Sequence, residues 1–214
     1  MWFRSAGLLL LARLCFAAEF DLSATLRKVE SRYNNIRAMQ ADFEQTLRYA
    51  SQPRASRTES GTLLLKRPGK MRWDYRSPAK KLFLSDGKDV YFYSPAMNRV
   101  EKTKLKETDD MRAPLAFLLG RLDFQRDFRE YHIRPEGADN WITAKPKSAK
   151  APYREVQFRL TPDLRIVQLR VVGQDESIMD YTFRNEKLNP PVQDAMFRFQ
   201  APAGAEVVDL SAGQ

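Results

Sequence analysis

The chain has 214 residues, 43% of them hydrophobic, with a formal net charge of +9 and a pI near 9.7. That apolar content excludes intrinsic disorder and is enough for a buried core, and the length suits one large or two small domains. The positive charge is scattered. Arginines such as Arg72, Arg159, Arg170 and Arg184 stand at alternate positions beside apolar residues, the pattern of a solvated strand face. A nucleic-acid groove would instead cluster its cations among exposed aromatics.

The start, "MWFRSAGLLLLARLCFAAEF", has the order of an export signal: Arg4, an apolar run, then Cys15-Phe16-Ala17-Ala18. Cleavage after Ala17 or Ala18 is expected, giving a signal peptide over 1–18 and one domain over 19–214. Arg13 breaks the apolar run, which is too short to span a bilayer. Cleavage removes Arg4 and Arg13 and no acid, lowering the formal charge from +9 to +7, and it removes the sole cysteine. An exported protein without thiols follows, which suits an oxidising compartment. Leu14 stands where a lipoprotein signal wants a small residue, which argues against lipidation of Cys15.

Leu22, Leu26, Val29, Tyr33 and Ile36 recur at steps of three and four, predicting an amphipathic helix capped by Asp21 or Ser23 and ending near Asn34-Asn35. From Met39 the period becomes two, with Met39, Ala41 and Phe43 on one face. Gln52–Ser60 is polar, contains Pro53 and reads as a loop. Short strands follow over 62–66, 70–76, 81–85, 90–94 and 99–104, divided by turn signals that include "SDGKD" at 85–89. Such spacing predicts an antiparallel meander and not βαβ units.

In "GTLLLKRPGKMRWDY" (61–75), Arg67 has the parity of Leu63 and Leu65, Pro68-Gly69 make the turn, and Met71, Trp73 and Tyr75 line one face of the return strand. A guanidinium thus stands at the edge of an aromatic surface. The run Pro114 to Leu119 is helical and apolar nearly all round, so it must be buried against something. Strands resume over 131–134, 141–144, 156–160, 166–172 and 178–184. Met71, Met97 and Met111 would supply adaptable apolar lining.

Chemistry-bearing patterns are sparse. His132, the single histidine, lies in a strand whose other face takes Tyr131 and Ile133, a surface position. There is no nucleophile elbow, zinc-protease motif or phosphate loop, and Asp109-Asp110 are adjacent and so point apart in either regular structure. We expect no enzyme, no metal and no cofactor.

"ADFEQ" (41–45), "LLLKRPGKMRWDY" (63–75), "LSDGKDVYFYSP" (84–95) and "APLAFLLG" (113–120), in that order, resemble the periplasmic outer-membrane lipoprotein carrier family, LolA, from Leu22 to Phe199. The resemblance implies a mainly β fold, an incomplete antiparallel β-barrel covered by a helical lid, whose interior holds lipoprotein acyl chains. It implies a monomer that takes cargo from an inner-membrane ABC exporter and passes it to an outer-membrane receptor. Phe43, Leu65, Met71, Trp73, Tyr75, Leu84 and Phe92 would then line the lipid site, and Leu115, Leu118 and Leu119 would close it from the lid. Arg67 matches the arginine that ties lid to barrel; read alone, it is a solvated turn residue. A higher positive charge and the Pro190-Pro191 pair depart from the family pattern. Two alternatives use the same fold: a periplasmic domain that senses lipoproteins, and an outer-membrane receptor. Nucleic acid is not expected as a partner.

Overall fold

The computed structural model describes residues 20–105 and 122–211. Helix α1 (Leu22–Asn34) is followed by strands β1 (Ala38–Tyr49), β2 (Gln52–Lys66), β3 (Lys70–Ser77), β4 (Lys81–Asp86), β5 (Asp89–Ser94) and β6 (Arg99–Lys104). After the short helix α2 (Phe124–Asp127) come β7 (Phe128–Glu136), β8 (Asp139–Pro146), β9 (Tyr153–Leu160), β10 (Ile166–Gly173) and β11 (Ile178–Leu188). A 3₁₀ turn (Asp194–Phe197) leads to β12 (Glu206–Asp209). All twelve strands form one open sheet in the order β12-β6-β5-β4-β3-β2-β1-β11-β10-β9-β8-β7. Every pairing is antiparallel except β12 on β6.

The polar segment over 52–60, expected to be a loop, is strand. β1 pairs with it residue by residue, from Gln45↔Glu59 to Arg48↔Ser56. Ladder hydrogen bonds need no apolar side chain, so a long strand can run past the core without an alternating signal. The short helix α2 and the C-terminal 3₁₀ turn and strand were not anticipated either.

Strand register sorts the side chains into rows across the inner face. One row runs Ala41, Leu63, Trp73, Phe83, Phe92. The next runs Phe183, Phe43, Gly61, Tyr75, Lys81. A third runs Ile142, Phe158, Leu169, Tyr181, Gln45, Glu59. Gly61 is required where it stands: a Cβ there would lie 2.0 Å from the backbone oxygen of Asp74. Its bareness also lets Phe43 reach Trp73 and Tyr75, with ring centroids 4.7 and 5.0 Å away.

Helix α1 plugs one end of this bowl. Asp21 caps it, accepting from Ala24 N at 2.8 Å, and Leu26, Val29 and Tyr33 join the inner-face core. Tyr33 OH donates to Glu186 and accepts from Ile166 N at 2.9 Å; burial raises the pKa of this phenol well above its usual value. The outer face is covered over β3 and β4 by the 3₁₀ turn, where Phe197 is buried.

Candidate functional site

Five of the expected lining residues, Phe43, Leu65, Met71, Trp73 and Tyr75, are buried on the inner face, and Phe92 packs against them half-buried. Alternation and the β2–β3 turn bring them together. Leu84 does not join them. It pairs with Arg72, whereas Phe83 pairs with Trp73, so Leu84 is buried on the outer face at 0% exposure. In the run Leu82-Phe83-Leu84 parity alone is ambiguous, and Phe83 is an inner-face residue that sequence reasoning missed, as are Tyr181 and Phe183. Met97 is also misplaced: it is 65% exposed in the β5–β6 turn. Leu115, Leu118, Leu119 and Met111 lie outside the described residues. His132 is exposed.

The inner wall is closed on itself. Trp73 is fully buried, stacks at 6.5 Å on Tyr75 and meets Tyr181 at 5.6 Å. Its indole Nε1 has no hydrogen-bond partner among the described residues. Beside Arg67, the crevice between Tyr33 and strands β1 and β2 holds only about 10 Å³.

Arg67 leaves β2 inward, as its parity required. Its Nη2 donates to Tyr33 O at 2.7 Å, at the last turn of α1, where a cation also suits the helix dipole. Partial burial lowers the guanidinium pKa from its ordinary value. One partner of Arg67 is therefore α1; the expected contact around Leu115–Gly120 lies outside the described residues. One residue on, Asn34 grips the returning chain, accepting from Leu122 N and donating to Leu122 O, each at 2.8 Å. Lys66 and Lys70 point outward from the same turn and hold Asp194 at 2.7 and 3.1 Å. The two turn motifs also touch. Ser85 Oγ donates to Gly69 O at 3.1 Å and accepts from Gly87 N at 3.2 Å.

The other end of the bowl is open. The β1–β2 turn at Tyr49, the loop at 149–152 and the β10–β11 turn at 174–177 surround a cavity of about 770 Å³, within the range of small-molecule sites. Its walls mix apolar Leu47, Phe92 and Met179 with charged Arg57, Glu59 and Lys81. The parity of Glu59 with Leu63 would have revealed this polar group, had 52–60 been read as strand.

A curved sheet with one apolar face, plugged at one end and open at the other, defines a binding protein with an apolar interior. The family model described as "Outer membrane lipoprotein carrier protein LolA" matches residues 34–200. An outer-membrane lipoprotein carrier protein of Bordetella avium is 31% identical over 199 residues, spanning 92% of this chain and 90% of the relative. One from Nitrosospira multiformis is 30% identical over 184 residues, covering 84% and 86%. The chain belongs to the outer-membrane lipoprotein carrier family. An uncharacterized conserved protein of Thermus thermophilus shares the fold, with TM-score 0.52 at 14% identity over 87% of this chain and 98% of that one.

Proposed function

We propose that this carrier works in the periplasm as a monomer, binding lipoprotein acyl chains against the inner face of its sheet. Residues 1–18 serve as a cleaved export signal and 19–214 as the carrier domain. It takes cargo from an inner-membrane ABC exporter, delivers it to an outer-membrane receptor, and changes no covalent bond. The observation that carries this reading is the aromatic and aliphatic inner wall opening into the 770 Å³ mouth.

The closed wall has an energetic role in this scheme. Burying an acyl chain from water contributes about 0.8 kcal/mol per methylene. Here the chains replace contacts that α1 and the wall already make with each other, so the net gain is smaller. Empty and loaded states are then close enough in free energy for cargo to pass downhill to a better acceptor without nucleotide. Arg67 and Asn34 set that balance by holding α1 and the chain at Leu122 in the closed arrangement.

Two measurements test the proposal. The purified protein should bind an acylated peptide and ignore the same peptide without lipid, with Trp73 fluorescence reporting the wall's separation. Equal affinity for both forms would overturn it. Depleting the protein in its host should leave lipoproteins at the inner membrane; an unchanged distribution would count equally against it.

A further inference from the structure

From the α1 end to the mouth, the inner face of β2 reads Leu65, Leu63, Gly61, Glu59, Arg57. It passes from buried apolar groups to charges. Glu59 is nonetheless shielded: its side chain is 6% exposed and holds Lys81 Nζ at 2.5 Å and Arg57 Nη2 at 2.7 Å. The Lys81 side chain is 13% exposed, and its ammonium lies 4.7 Å from the Tyr75 ring centroid and 5.8 Å from that of Phe92. Beside them on β1, Gln45 is 5% exposed. Its Oε1 accepts from Tyr75 OH at 3.0 Å, which leaves its amide N–H₂ without a partner among the described residues. Gln45, Arg57, Glu59 and Lys81 all line the 770 Å³ cavity.

Stability does not account for this group. Desolvating a carboxylate and an ammonium on an apolar wall is more costly than packing apolar side chains there. The sheet's other ion pairs, such as Arg170–Asp180 and Arg72–Asp74, are more exposed. Along the same cross-strand row, Ile142, Phe158, Leu169 and Tyr181 are all buried aliphatic or aromatic groups. Polarity begins at Gln45, where the row reaches the open cavity.

We propose that Gln45, Glu59 and Lys81, with Arg57 at the rim, form a polar subsite for the ester-linked glyceryl head of a diacylated ligand. The Lys81 ammonium, the Arg57 guanidinium and the Gln45 amide donate to ester carbonyl oxygens. Glu59 orients both cations and offsets part of their charge, which suits neutral acceptors. From Glu59 to Leu63 is about 13 Å along an extended chain, so acyl chains leaving the head reach the Trp73 row. The inference rests on the carrier reading and assigns the two parts of one ligand to the two kinds of surface. The same ester head occurs on a lipoprotein N-terminus and on a phospholipid.

The test is fluorescence titration of the mature chain with a diacylglyceryl-cysteinyl peptide and its dialkyl-ether counterpart of equal chain length. The ether keeps the apolar mass and loses the carbonyl acceptors. Wild type should prefer the ester by about tenfold, the effect of one charge-assisted hydrogen bond net of solvent. The pair Glu59→Gln with Lys81→Met removes both charges together, so neither is left buried alone. It should weaken ester binding several-fold more than ether binding, because only Arg57 and Gln45 are left to donate; Lys81→Arg should retain the full preference. Equal binding of ester and ether by wild type, or an undiminished preference in the double variant, overturns the subsite. Binding of neither ligand by wild type overturns the carrier reading instead. Competition by phosphatidylglycerol assigns the subsite to phospholipid ester heads, and failure to compete assigns it to lipoproteins.

Discussion

At one end of β2, Arg67 donates to Tyr33 O and the crevice beside it, between the end of α1 and β1–β2, holds only about 10 Å³. At the other end, Arg57 and Glu59 face a cavity of about 770 Å³. The same strand therefore serves a packed end and an open one. At the packed end, apolar side chains fill the volume and the few polar groups clamp backbone to backbone. At the open end, charged side chains pair with each other and leave room. A carrier needs both, since a bowl open throughout would bind irreversibly or aggregate, and one packed throughout would admit nothing.

The largest effect separating the two ends should come from the wall. Trp73→Ala removes a fully buried ring and should lower folding stability by about 3–5 kcal/mol, measured by urea unfolding. The neutral pair Glu59→Gln with Lys81→Met at the mouth should leave stability within about 1 kcal/mol of wild type or raise it, as replaced buried ion pairs often do. Equal losses from both would erase the distinction between packed wall and polar mouth.

Next comes Gly61→Ala. Its Cβ meets strand backbone at 2.0 Å, which cannot swing aside like a side chain, so a loss of about 1–3 kcal/mol is expected. Unchanged thermal unfolding would show that β2 and β3 separate readily there.

Arg67→Leu sharpens the comparison functionally. The bond to Tyr33 O is charge-assisted, worth about 1.5–3 kcal/mol, and losing it favours the open arrangement. Acyl-peptide affinity should rise by roughly tenfold per 1.4 kcal/mol lost, until open is already the dominant state, while transfer to an acceptor slows. Arg67→Lys should fall between, because an ammonium keeps the charge without the planar fork. Asn34→Ala should act in the same direction and more weakly, since its two bonds to Leu122 are neutral ones. Binding and handover at wild-type levels in Arg67→Leu would reduce Arg67 to a structural turn residue.

The smallest effect concerns the outer side of the packed end. Hydrogen bonds from Lys66 and Lys70, with their charge, hold the Asp194 carboxyl down at about 2. A carboxyl depressed in the folded state contributes its docking energy above its unfolded value, near 3.8, and loses it as pH falls from there through 2. Proteolysis of the segment after Pro190 should therefore rise over that window in wild type. In Asp194→Asn it should be raised already at neutral pH and vary less. An unshifted wild-type profile would separate this strap from the turn that carries Arg67.

Much of the architecture was legible because local rules governed it. The four-three spacing from Leu22 to Tyr33, with a cap at Asp21 or Ser23, is decided within one helix. Met71, Trp73 and Tyr75 share a face because alternation in an extended strand is obligatory. Arg67 points inward for the same reason. What escaped were choices made between segments. Leu84 and Phe83 are equally apolar neighbours, and the pairing of Trp73 with Phe83 alone decides which enters the bowl. Leu84 stays dry on the outer face near the 3₁₀ turn, so β4 shows no clean alternation.

The amino-acid sequence by itself determined the helix, most of the strands, the aromatic wall and the family, since each is written in spacings of a few residues or in contiguous motifs. Only the tertiary structure decided that Arg67 grips the end of α1, that Asn34 clamps Leu122, and that Gln45, Glu59 and Lys81 meet at the mouth. Those contacts join residues from 14 to 88 positions apart. Distances across the chain are set by sheet register and by packing of one element on another, which no local periodicity encodes.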